Sequence, residues 1–237
     1  MTPRKTYIRP SEADPTKTVS MGTYDLNFTA VVGVNLIGIK QTRNIHDKVY
    51  WGLMGSNFCK NMYLADCEMS RFDAHMGVSG VTLKNCVFGH QRVNLIGFGD
   101  AYLENVTSTG VSFCSLRNDY GAIWRGNLTI KNCTWIPEDC SGHLTVIRAI
   151  NNQDHDFGYV CSMPENIVID GLRVIDGDVP KEIPFYILPV YDSTFSKDKP
   201  HRYVTSKRLT VSDLKTESDR EWKPFARGEL YEKIIID

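Results

Sequence analysis

Asp73 and His75 stand two residues apart in the segment Ser70-Arg71-Phe72-Asp73-Ala74-His75. On a strand that spacing sets the carboxylate and the imidazole on one face, with Phe72 and Ala74 on the other. An imidazole beside a carboxylate is a pairing that general acid–base chemistry uses near neutral pH. Two further segments carry similar residue types: Gly89-His90-Gln91-Arg92-Val93-Asn94 and Ser115-Leu116-Arg117-Asn118-Asp119-Tyr120. The same alternation pairs Arg92 with Asn94 and Ser115 with Arg117. Stacked as neighbours, the three segments form an outward polar patch that includes Asp73, His75, His90, Arg92, Asn94, Arg117, Asp119 and Tyr120. Trp51, Trp124 and Tyr120 supply flanking aromatic faces of the kind on which sugars pack.

Such stacking follows from an internal repeat. Two apolar residues separated by one are followed by a polar residue, then Asn or Asp, then Cys or an aliphatic. The clearest copies are Met62–Cys67, Val81–Cys86, Ala101–Val106 and Leu128–Cys133, with weaker ones at Ile37–Thr42, Ile167–Leu172 and Leu209–Leu214. Counted on Ile39, Leu64, Leu83, Leu103, Ile130, Ile169 and Val211, the steps are 25, 19, 20, 27, 39 and 42 residues. Each copy alternates with period two and ends at a residue tolerant of a tight corner, and no helical periodicity persists. A shortest step of 19 residues suits one turn of an all-β, right-handed, single-stranded parallel β-helix. In that solenoid Gln41, Asp66, Asn85, Asn105, Asn132, Gly171 and Asp213 form one ladder along the axis. Thr42, Cys67, Cys86, Val106, Cys133, Leu172 and Leu214 form an interior column, with the cysteines acting as small buried hydrophobes.

The chain is read as one domain. Residues 1–24 are an N-terminal extension or partial cap, 25–137 the regular coils, 138–164 and 176–206 long insertions, and 207–237 a last coil and tail. The basic, proline-containing start suggests that the chain begins partway along a longer solenoid.

Composition narrows the function classes. The 237 residues are 42% hydrophobic and 23% charged, ordinary globular values. With 27 Lys+Arg against 28 Asp+Glu, the net charge of −1 gives no support to nucleic-acid or membrane binding through bulk charge. No apolar run approaches the ~20 residues of a membrane span. Thr2-Pro3-Arg4-Lys5 is not followed by the apolar core of a leader peptide. Seven cysteines without a C-x-x-C argue against a zinc ribbon or a complete disulfide framework.

From about Asp25 to Asp213 the pattern resembles the pectin-lyase-like superfamily of right-handed β-helices. Within it, Phe72-Asp73-Ala74-His75 is similar to the F/V-D-P-H motif of mannuronan C5-epimerases and related alginate-acting enzymes, with Ala74 in place of proline. The resemblance implies that His75 is the proton-transfer group at C5, that Asp73 supports it, that Tyr120 acts on the opposite face, and that Arg117 neutralises the uronate carboxylate. The chemistry is coherent: a guanidinium stabilises the enolate that develops as the C5 proton leaves, and an acid protonates the departing oxygen. The stretch also resembles β-helix proteins of gut bacteria and the spikes of their phages.

The expected function is therefore β-elimination on an acidic polysaccharide, at the cell envelope, on a virion or outside the cell. The alternatives are a tailspike-type hydrolase using Asp73 and Asp119, or a non-catalytic glycan-binding or structural solenoid. A homotrimer is an expectation from the tailspike resemblance alone. No cofactor is required; calcium on Asp66, Asp100 and Asp73, as in pectate lyases, and a metal at Gln153-Asp154-His155-Asp156 are the two cation readings. The sequons at Asn27, Asn105, Asn127 and Asn132 coincide with strand and ladder positions and are taken as accidental.

Overall fold

The computed structural model of the chain describes residues 7–10, 16, 18–21, 24–47, 52–75, 77–117, 123–149, 158–189, 204–225 and 233–237. Among them there is no helix, and hence none long and apolar enough to cross a membrane. The strands run parallel in stacked sheets, apart from one antiparallel pair, Tyr7–Pro10 with Thr18–Met21, inside the expected N-terminal extension.

The longest stack follows the repeat. Asn35–Ile37, Lys60–Ala65, Ser79–Lys84, Phe98–Glu104, Asn127–Pro137, Asn166–Val174, Arg208–Thr216 and Ile235–Ile236 lie side by side in chain order. Leu64, Leu83, Leu103, Ile130, Ile169 and Val211 are direct register partners, as the spacing predicts. The five from Leu64 to Ile169 are fully buried, and Met62, Val81, Ala101, Leu128, Ile167 and Leu209 form a second buried row beside them. Apolar alternation thus becomes two continuous columns whose removal from water drives the stacking.

The first repeat copy sits three residues earlier than the pattern suggests. Leu36, not Ile39, pairs with Leu64. The ladder position is then Gly38, not Gln41, and the interior position Ile39, not Thr42. The reason is backbone conformation: Gly38, Asp66, Asn85, Asn105, Asn132, Gly171 and Asp213 all have φ between 49° and 81°. This left-handed corner admits Gly, Asn and Asp far more readily than Gln. Asn85 Nδ2 donates to Asp66 Oδ1 at 3.1 Å, and Asn105 Nδ2 to Asn85 Oδ1 at 3.0 Å. Gln41 has a different task, accepting from the backbone N–H and hydroxyl of Ser70.

Past the corner, Cys67, Cys86, Val106, Cys133 and Leu172 turn inward and are buried. All seven cysteines of the chain are free thiols. Burial pushes Cys86 and Cys133 up to about 11, which fits a packing role rather than a reactive one.

A further stack carries the polar patch. Phe72–Asp73, Val93–Leu95, Cys114–Leu116 and Ile147–Ala149 are parallel neighbours. Met54–Asn57 joins its lower edge through a bridge between Ser56 and Ala74, with Leu26–Thr29 beneath it. Ile147–Ala149 lies in the first expected insertion and yet continues this stack. Likewise Leu144–Thr145 pairs with Phe185–Leu188, inside the second, which pairs with Trp222–Phe225. Both insertions therefore contribute rungs, and the longer steps of the repeat hide strands without an Asn corner. Trp135, Phe72, Phe88, Phe113 and Phe185 fill the space between stacks; the Trp135 indole N–H donates to the carbonyl of Gly110 at 3.0 Å.

Candidate active site

Phe72 and Ala74 point into the core and are fully buried, so Asp73 between them faces outward. Its side chain is nevertheless inaccessible to water, because four others close over it. Asp73 Oδ1 accepts from Arg71 at 2.7 Å and from Arg117 at 2.9 Å. Asp73 Oδ2 accepts from His75 Nε2 at 2.8 Å and from the Tyr24 hydroxyl. The Tyr24 and His75 rings meet edge to face with centroids 5.9 Å apart, and the Arg71 guanidinium lies 5.7 Å from the Tyr24 ring centre.

The four partners arrive by three routes. Arg71, Asp73 and His75 alternate along one strand and so share its outer face. Arg117 follows Cys114–Leu116, two rungs further on, where its N–H bonds the carbonyl of Leu95. Tyr24 precedes Leu26–Thr29 and reaches up over Met54–Asn57. The Ser56 carbonyl receives the His75 N–H at 2.8 Å, and the Ser56 hydroxyl bonds the carbonyl of Asp73 at 3.0 Å. The backbone on which carboxylate and imidazole stand is thereby pinned.

Burial by itself would raise the Asp73 carboxyl. The hydrogen bond from His75 and the charges of Arg71, His75 and Arg117 outweigh it and hold the group well below the usual carboxylate range. Tyr24 moves the other way: burial, then the adjacent Asp73 charge, raise its hydroxyl above the ordinary tyrosine value. Asp73 is therefore a permanent carboxylate and Tyr24 a permanent phenol at neutral pH. An ionised carboxylate only accepts, so His75 carries a proton on Nε2.

Of the residues singled out by sequence, Asp73, His75 and Arg117 come together. Asn94 and Ser115 sit on the next rungs of the same outer column, in register with Asp73, and Asn94 Nδ2 bonds the carbonyl of Gln91 at 3.0 Å. His90 lies apart, with Nδ1 3.2 Å from Glu138 Oε2. Arg92 takes a left-handed corner with φ 51°, and burial lowers its pKa to about 10. Trp124 is only 4% exposed, so it packs in the core and offers no face to a sugar. Trp51, Asp119, Tyr120 and Gln153–Asp156 lie outside the described residues. Asp66 and Asp100 belong to other contacts, with Asn85 and Asn127. Among the described residues no three His, Cys, Asp or Glu side chains are grouped to hold a metal.

Arg71 and Tyr24 complete the cluster and were not anticipated. Arg71 was legible, since it shares the parity of Asp73 and His75. Tyr24 lies 49 residues before Asp73 and carries no local signal of its destination.

No family model matches the chain, and no solved structure matches it at a significant level. An alignment of 129 residues, 49% of this chain, is 29% identical to the capsule KL64-specific depolymerase of Klebsiella phage P510. It spans 12% of that protein, so the chain corresponds to a small part of the relative it matches.

Proposed function

We propose that the chain is the glycan-cleaving part of a capsule depolymerase, built as a right-handed parallel β-helix and acting on an acidic polysaccharide by β-elimination. Similarity to a phage depolymerase and the parallel stacks support the coarser half of this reading. The state of Asp73 supports the finer half. A hydrolase of the expected kind needs Asp73 as proton donor or nucleophile. A buried carboxylate saturated by four donors and held far below its usual pKa is a poor acid and a poor nucleophile. It is well suited to orienting others.

In this reading Asp73 is a positioning residue. His75 Nδ1 removes the C5 proton of a uronate, and the Arg71 and Arg117 guanidiniums face the enolate that forms on its carboxylate. Tyr24, whose one hydroxyl proton is donated to Asp73, is a second positioning residue, and the leaving glycosidic oxygen takes its proton from Tyr120, the acid that the resemblance implies, as the C4–O bond breaks. Restraining imidazole, phenol and guanidiniums in one geometry removes much of the entropic barrier. A virion-bound or extracellular location belongs to the same reading, as does the homotrimer, which sedimentation of the intact chain tests.

The experiment is digestion of KL64 capsule and a panel of polyuronates, following near-ultraviolet absorbance and reducing ends together. Both signals rising, and both lost in His75→Ala, is the expected result. Reducing ends without absorbance would replace elimination by hydrolysis. Silence in both, with glycan binding retained, would leave a non-catalytic binder.

A further inference from the structure

Three rungs above Asp73, the outer column Asp73–Asn94–Ser115 ends at Arg148. At the interstrand spacing this is a rise of about 14 Å. Arg148 opens onto a cavity of about 350 Å³ walled by Val111, Asp139, Cys140, Ser141, His143, Thr145, Arg148 and Pro189.

The cavity has an unbalanced polar lining. No acid among the described residues pairs with Arg148, and desolvation lowers its pKa. Arg92, next in from the wall, lies close enough to feel the Arg148 charge and has a buried Nε without a hydrogen-bond partner. Neither guanidinium has a carboxylate within ion-pair distance among the described residues, which leaves room for an anion at Arg148. The nearby acids are otherwise engaged: Glu138 faces His90 Nδ1 at 3.2 Å, and Asp139 faces His90 Nε2 at 3.9 Å. Thr145 is 5% exposed and its hydroxyl also lacks a partner, an arrangement that costs stability unless something else satisfies it. His143 also lines the cavity, edge to face with Tyr186. A guanidinium, two hydroxyls and an imidazole, beside an Asp139 carboxylate that lies 3.9 Å from His90, suit a hydroxylated ring whose hydroxyls meet Asp139 and whose one negative group meets Arg148.

We infer that this cavity is a second sugar subsite, taking a carboxylate-bearing residue of the glycan on the Arg148 guanidinium while the chain runs along the Asp73–Arg148 column. The inference rests on the glycan-cleaving reading above and deepens it: the substrate carries acidic groups at more than one position along its length, and the distal one sets the register of cleavage.

The test uses the intact chain with ¹⁵N-labelled histidine, His143 being assigned through His143→Gln, and sodium glucuronate as the probe. Saturable shifts of the His143 ring with glucuronate are expected, and none with glucose or with sodium chloride at matched ionic strength. Arg148→Gln weakens the binding about tenfold or more, the loss of one charge-assisted pair, and Arg148→Lys recovers part of it. Thr145→Val weakens glucuronate binding while leaving thermal stability equal or higher, a split that a purely structural hydroxyl would not produce. Absence of a saturable shift, an equal response to glucose, or indifference to Arg148→Gln overturns the subsite. KL64 capsule cleavage is assayed on the same preparations. Cleavage without glucuronate binding sinks this subsite alone, and glucuronate binding without cleavage of any glycan sinks the proposed function.

Discussion

The Tyr24 ring occupies the space that a side chain on Gly55 would need: a Cβ there would fall 2.5 Å from Tyr24 Cδ2 and 2.6 Å from Cε2. Gly55 lies on the rung below Asp73, and its missing side chain lets the ring rest on the sheet with its hydroxyl on the carboxylate. Gly55→Ala is expected to expel Tyr24 and to lower depolymerisation as strongly as Tyr24→Phe. Because the displaced group is a side chain rather than backbone, the cost in stability should stay at about 1 kcal/mol. Capsule turnover and thermal melts of both variants decide this; full activity in Gly55→Ala would show that the Tyr24–Asp73 contact is dispensable.

Asp73→Asn removes the charge that balances Arg71 and Arg117. Breaking a buried pair by taking one partner strands the other, at a cost of about 3–5 kcal/mol. Urea unfolding should show a loss in this range. A loss below 1 kcal/mol would mean that the arginines find other partners, and that Asp73 does not hold the cluster together.

The depressed Asp73 carboxyl ties stability to pH in the acid range. In the unfolded chain the group titrates at about 3.9. Its contribution is complete above that value and disappears as pH falls through the lower folded value, since there the unfolded chain binds the extra proton. Asp176 acts in the same direction: burial alone would raise it, but Ser218 and Arg220 lower it. Urea midpoints should be nearly flat from about pH 7 to 5 and fall steeply below about pH 4, with a shallower fall in Asp73→Asn. An identical slope in the variant would contradict the assignment.

Asn105 combines a left-handed φ of 53° with a place in the amide ladder. Asn105→Gly keeps the backbone at ease and loses the hydrogen bond, for about 1 kcal/mol. Asn105→Ala loses the bond and strains the corner, for about 2–3 kcal/mol in all. Denaturation midpoints should therefore rank wild type, Gly, Ala. Equal values for Gly and Ala would remove the corner argument.

What could be read before any coordinates was periodic. Leu64, Leu83 and Leu103 announce their stacking because each copy of the repeat buries the same apolar pair and turns at the same Asn or Asp. The first copy slipped by three residues because Gln41 looks like an amide-ladder residue, and only the need for a left-handed corner selects Gly38. Rungs such as Ile147–Ala149 and Phe185–Leu188 stayed hidden, since they lack the corner that marks the others.

The candidate centre divides along the same line. Arg71, Asp73 and His75 share a face by strand parity alone, a property of consecutive residues that any sequence displays. Tyr24 and Arg117 reach the same carboxylate from 49 and 44 residues away. Their arrival depends on strand register, on the vacancy at Gly55 and on how far each loop carries the chain. Alternation and corner chemistry are local and were written in the residues; which distant side chains cover Asp73, and so keep it ionised and out of water, is settled only by the tertiary structure, because burial is a property of the assembled fold.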